Sequence, residues 1–231
     1  MREKNKRTAG SKWIGTGILF IVFMLWTIAI QYVDVQMIGP ENSAVGFATL
    51  NGWFHKLTGV HMFIYTVTDW LGLVPLLAVA GFGLCGLIQL LKRKSLYKVD
   101  AELLVLGGFY IVVMAAYILF GVFPVNYRPI LIEGVLEASY PSSTTLLVMC
   151  VMPTAALQLP AYIGKNKWSR FLQILIAFFT VFMVIGRLIS GVHWLTDIVG
   201  GMILSMALCM LYISAITQIS LRKDSICKKG I

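Results

Sequence analysis

Toward its C-terminus the chain reads GRLISGVHWLTDIVGG, residues 186–201, which sets Arg187, His193 and Asp197 within eleven residues at the edge of an apolar stretch. A charged group at membrane depth costs about 2.5–3.5 kcal/mol even on the lenient insertion scale, so three kept together need a use. His193 and Asp197 are four apart and share a face if a helix begins there. A carboxylate so placed can accept the imidazole N–H and fix the tautomer, leaving the other nitrogen as nucleophile or base. The same pair can also do no more than hold two membrane helices together.

Two further segments carry chemistry. NYRP, residues 126–129, holds Arg128, and YPSSTTLLV, residues 140–148, places hydroxyl residues before an apolar run. That second pattern marks the start of a helix with Ser142 or Ser143 as N-cap. Helix N-termini bind anions through free N–H groups and the helix dipole. Joined to the guanidinium forks of Arg128 and Arg187, such a terminus makes a phosphate site. A serine hydrolase with Ser142 or Ser143 as nucleophile and His193 as base is the competing chemistry, but the chain has no G-x-S-x-G elbow.

These segments must be positioned by membrane helices. The chain has 231 residues, 58% hydrophobic and 13% charged, outside the soluble globular range. Stretches long enough to cross about 30 Å of hydrocarbon occur at 13–32, 70–91, 101–123, 143–163, 171–189 and 195–216. The expected architecture is an all-α integral membrane protein with six transmembrane helices in one bundle. Residues 1–12 form a cytoplasmic basic segment, 13–217 the bundle and 218–231 a cytoplasmic tail. The first apolar run follows a basic segment, as in a signal peptide, but it is long and lacks a small-residue cleavage site, so an uncleaved anchor is expected. Between the first two spans, Phe47, Leu50, Trp53, Phe54 and Leu57 recur at helical spacing and predict a short interfacial helix. His55 and His61 in this stretch are read as interfacial side chains without a ligand role.

The net charge of +9 does not indicate a nucleic-acid partner, because all but three of the 19 Lys and Arg fall in four clusters on one side of the membrane. By the positive-inside rule that side is the cytoplasm, with both termini in it. Lys56, Arg128 and Arg187 are left on the outer side. Cys85, Cys150 and Cys209 lie in spans and Cys227 in the tail, with no disulfide framework and no metal-ligand spacing, so neither metal nor cofactor is expected.

The order NYRP, YPSST, GRLISGVHWLTD resembles the three signatures of the type 2 phosphatidic acid phosphatase family, KxxxxxxRP, PSGH and SRxxxxxHxxxD. The resemblance implies a six-helix cell-membrane enzyme whose site faces outward and acts on a lipid phosphate or diphosphate. It also implies that Arg128, Arg187, Ser142 and Ser143 bind phosphate, that His193 forms a phosphohistidine and that Asp197 orients it. The departures are specific: the family lysine falls on Gly121, the serine before the second arginine on Gly186, the glycine of PSGH on Ser143, and the histidine that protonates the leaving group on Thr144.

Threonine is no general acid near neutral pH. An alkoxide leaving group, with a conjugate-acid pKa near that of water at about 16, then departs unaided. A phosphate, with a second pKa of about 6, scarcely needs the proton. The expectation is therefore a preference for lipid diphosphates, unless Asp69, Glu133 or Glu137 supplies the acid. The competing expectations are a non-catalytic protein of this type that binds phospholipid head groups, and a transporter with a proton relay, which would want its charges near the midplane.

Overall fold

The computed structural model describes residues 2–227, with side chains from 9 to 222. The basic residues at 2–7 and the tail residues from 223 onward, Cys227 included, lie outside the described side chains. Among the described residues the chain folds into α1 (Arg2–Tyr32), α2 (Ala48–Thr58), α3 (Met62–Leu71), α4 (Leu73–Arg93), α5 (Ala101–Val122), α6 (Ser143–Ile163), α7 (Lys167–Ile189) and α8 (Leu195–Cys227). Among the described residues six spans are long and apolar enough to cross a membrane: Ala9–Tyr32, Met62–Arg93, Ala101–Val122, Ser143–Ile163, Lys167–Ile189 and Leu195–Arg222. The protein is an all-helical, multi-pass membrane protein, and α2 is the expected short helix between the first two spans.

The second span differs from expectation. It begins at Met62 rather than Trp70, because α3 runs into α4 across a break at Gly72. Pro75 in the first turn of α4 cannot donate to the carbonyl four residues back and its ring crowds it, so the helix breaks there. The polar residues Tyr65, Thr68 and Asp69 do not stop α3 from forming; they share one of its faces, at i, i+3 and i+4.

The helices α6 and α8 form the centre. Half of the α8 span is buried, against 6% of the α3–α4 span. Lipid gives no hydrophobic drive for helix association, so packing and polar contacts do the work. Thr16 Oγ1 lies 3.1 Å from Ser214 Oγ, Tyr110 OH 3.3 Å from Thr154 Oγ1, and Gln158 Nε2 donates to Tyr212 OH at 2.6 Å. Ile14, Ile18, Ile21 and Leu25 of α1 and Phe178 and Val181 of α7 face outward. Apolar outside and polar between helices is the pattern a bilayer solvent selects.

The ends of the bundle have different characters. Lys92, Arg93, Lys94, Lys165, Lys167 and Arg170 cluster where α4 and α6 end and α7 begins. At the opposite end, the loops after α5 and α7 meet the start of α3.

Candidate functional site

Residues 126–139 between α5 and α6 fold back on themselves. Arg128 N donates to Glu137 O at 3.0 Å, Ser139 N to Asn126 O at 2.9 Å, and Ile132 pairs with Val135. Glu133 and Gly134 both take positive φ at the tip, the requirement of a tight two-residue turn. This hairpin carries Arg128 inward until it is only 7% exposed.

The loop from α7 to α8 is fixed from three sides. Trp194 Nε1 donates to Tyr127 O at 2.7 Å, and Asn51 Oδ1 of α2 accepts from Thr196 N at 3.2 Å. His61 N donates to Ser190 O at 2.9 Å. Gly191 has φ +70 and lies so close to Gly59 that a Cβ would overlap its carbonyl, so no other residue fits comfortably.

His193 is buried in this loop. Its Nδ1 lies 3.2 Å from the carbonyl oxygen of Ser139, which can only accept, so Nδ1 carries the proton. Nε2 is left as a free lone pair, buried without a hydrogen-bond partner. Burial first, and then the positive charges of Arg128 and Arg187, push the His193 pKa well below the ordinary histidine value. The imidazole is therefore neutral at neutral pH.

Asp197 is fully buried, but its contacts differ from the sequence expectation. Its Oδ2 is 3.9 Å from His193 Nδ1, beyond hydrogen-bond reach, and accepts instead from Trp194 N at 2.9 Å. Asn126 Nδ2 lies 3.4 Å from Oδ1. A side chain at the third helical position turning back to the N-cap N–H is half of a capping box. Asp197 thus shapes the start of α8, and the Ser139 carbonyl is the direct partner of the imidazole.

Ser142 occupies the N-cap position of α6, yet its side chain does not cap the helix; Thr145 Oγ1 donates to its Oγ at 3.1 Å. Ser142 N donates to Asp197 O at 3.1 Å, which ties this terminus to α8. Ser143 lines a cavity of about 460 Å³ together with Gly121, Arg128, Glu137 and Ser139. Thr144 is buried in the first turn of α6. A Cβ at Gly121 would meet nothing within 4 Å.

The two arginines are held differently from ordinary ion pairs. Arg187 is 1% exposed, and its Nη1 is 3.5 Å from both Asp69 Oδ1 and Thr68 Oγ1. Arg128 Nε is 3.0 Å from Glu137 Oε2. Even so, Arg128 Nε and Nη1 and Arg187 Nε are buried without a well-directed hydrogen bond. Both guanidinium groups lie over the ring of Tyr65, at 5.8 and 4.9 Å from its centroid. Gly186 permits this: a Cβ there would come within 2.6 Å of Thr68 Cγ2 and push α3 away from α7.

The structure thus brings Arg128, Arg187, Ser142, Ser143, His193 and Asp197 to one end of the bundle, with Thr144 beside them. Sequence reasoning missed Tyr65, Thr68, Asn126 and the Ser139 carbonyl. The spacing of Tyr65, Thr68 and Asp69 was the available signal for α3. His55 rests against Trp194, with ring centroids 5.5 Å apart, and His61 Nε2 lies 2.8 Å from Thr58 O.

Comparison with known proteins points one way. The family model described as the PAP2 superfamily matches residues 77–220. Among solved structures, one described as the first transmembrane PAP2 type phosphatidylglycerolphosphate phosphatase from Bacillus subtilis superposes with a TM-score of 0.59. The two are 20% identical, and the match covers 88% of this chain and 96% of that one. No curated protein matches.

Proposed function

The chain belongs to the PAP2 superfamily, and from that premise we propose that it is a membrane lipid phosphatase working through His193, with a preference for lipid diphosphates. One observation carries the proposal: a buried, neutral histidine with a free Nε2 stands near two buried arginines, of which Arg128 Nη1 and Arg187 Nε are buried without a hydrogen-bond partner. Buried polar groups are ordinarily satisfied, so such a cluster calls for an anion.

In the proposed reaction Nε2 of His193 attacks phosphorus, and the P–O bond to the leaving group breaks with its electron pair going to that oxygen. Arg128, Arg187 and the N–H groups at the start of α6 bind the phosphoryl oxygens, whose charge they neutralise. Water then attacks the phosphohistidine, the P–N bond breaks with its electron pair returning to Nε2, one proton of the water stays on the inorganic phosphate and the other passes to solvent, and the neutral imidazole is restored. Asp197 and Ser139 hold the loop so that Nε2 faces the phosphate. With Thr144 where the family has its acid, departure of a phosphate is easy and departure of an alkoxide is slow. The basic end of the bundle faces the cytoplasm by the positive-inside rule, which puts the site at the outer face.

The test is phosphate release by purified protein in detergent with EDTA, on a lipid diphosphate and a lipid monoester side by side. The diphosphate should be hydrolysed faster, and His193→Ala should abolish both activities. Thr144→His should raise the monoester rate by up to about 10²–10⁴-fold, the worth of general acid catalysis, and the diphosphate rate far less. Binding of lipid without phosphate release in either form would favour a head-group-binding protein instead.

A further inference from the structure

Helix α3 lies ahead of the residues matched by the family model, yet its inner face reaches both arginines. Arg128 comes from the hairpin and Arg187 from α7, two segments that must bring like charges to one anion. A carboxylate between them would neutralise the repulsion but would occupy the N–H groups that a phosphate needs. An aromatic face solves this differently. Its quadrupole attracts the flat guanidinium from above and leaves the N–H edges pointing elsewhere.

The structure shows that arrangement. The ring of Tyr65 lies under Arg187 at 4.9 Å and Arg128 at 5.8 Å. Arg128 Nε faces the partly exposed Glu137 carboxylate at 3.0 Å without a well-directed hydrogen bond, Arg128 Nη1 and Arg187 Nε remain without hydrogen-bond partners, and the polar contacts of Arg187 to α3 are long, at 3.5 Å. Close packing of Thr68 on Gly186 fixes the helix that carries the ring. We propose that Tyr65 is a positioning residue that joins Arg128 and Arg187 into one phosphate clamp through its ring face. The hydroxyl is not required for this, so phenylalanine should serve.

The proposal rests on the phosphate chemistry above, and its test separates the two. Orthovanadate binding to purified protein is measured by calorimetry for wild type, Tyr65→Phe, Tyr65→Leu and Tyr65→Met, alongside KM and kcat on a lipid diphosphate. Leu and Met should each weaken orthovanadate binding by about tenfold or more, the size of two partly desolvated cation–π contacts. KM should rise with them and kcat change less, while Phe stays within about twofold of wild type. Two aliphatic variants guard against one that fails to fold. Wild-type affinity in the Leu or Met variant would overturn the clamp, and so would equal losses in Phe and Leu, which would assign the work to the hydroxyl. Tyr65-dependent orthovanadate binding by a protein that hydrolyses nothing keeps the clamp and rejects the phosphatase. Turnover through His193 that is indifferent to Tyr65→Leu rejects the clamp alone.

Discussion

At each end of the bundle an arginine meets a carboxylate, and the two meetings differ. Arg93 Nη1 and Asp100 Oδ1 are 2.7 Å apart, with side chains 41% and 49% exposed; Gln89 donates to Asp100 Oδ2 at 2.8 Å, and Arg93 also donates to the Lys98 carbonyl. This pair is closed and wet. Arg187 at the other end is 1% exposed, while Asp69, 3.5 Å away, is 57% exposed. A solvated pair with short bonds holds a loop, whereas a buried guanidinium with a distant partner keeps donors in reserve. Charge count alone would rank the basic end as the site; burial and unpaired donors rank the other.

The comparison breaks most sharply on sidedness. In intact cells, an impermeant thiol reagent should label a cysteine at exposed Glu133 and spare one at exposed Tyr97. The reverse pattern would put the buried arginines in the cytoplasm and remove access from the outer leaflet.

Next in size is the effect of removing one arginine from each end. Arg187→Gln should lower kcat/KM on a lipid diphosphate by about 10²–10³-fold, the loss expected for one preorganised donor at a developing charge. Arg93→Gln should change it by less than about twofold, since an exposed pair is worth about 0–1 kcal/mol to stability and touches no substrate. Equal losses would mean that the two ends act through the fold rather than through a site.

The smallest effect is a displaced pH limb. His193 is held neutral by burial and by two nearby cations, so the neutral form that the proposed reaction needs persists below the ordinary histidine value of about 6.5. The acid limb of kcat/KM should accordingly lie below that pH. The sign for stability follows from the same shift: below about pH 6.5 the unfolded histidine takes up a proton that the folded one refuses. Stability contributed by this residue is present at higher pH and falls as pH drops through the unfolded value. A limb at or above 6.5 would show His193 to be wetter than its contacts require.

Much of this was legible in the chain. Spans could be read because apolar transfer energies add along a helix without reference to any neighbour, so 101–123 and 143–163 were found within a residue at each end. The α3 segment was not, because Tyr65, Thr68 and Asp69 lower its hydropathy, and only the packing of Thr68 against Gly186 of α7 seats the helix in the bundle. The hairpin around Arg128 announces itself only through Glu133 and Gly134, a weak turn signal without alternating strands. His193 and Asp197 were singled out by spacing, but spacing could not foresee that Trp194 N would claim the carboxylate and leave the imidazole to Ser139.

The sequence by itself determined the number and order of the membrane spans, the charge asymmetry between the two ends and the types of residue available for chemistry, all properties that sum locally along the chain. Only the tertiary structure decided that Tyr65 would lie under both Arg128 and Arg187. Contacts between charges and an aromatic face depend on distances across segments 63 and 122 residues apart in sequence. Those distances are set by Gly186 letting two helices touch, by a break at Gly72, and by a hairpin that folds inward.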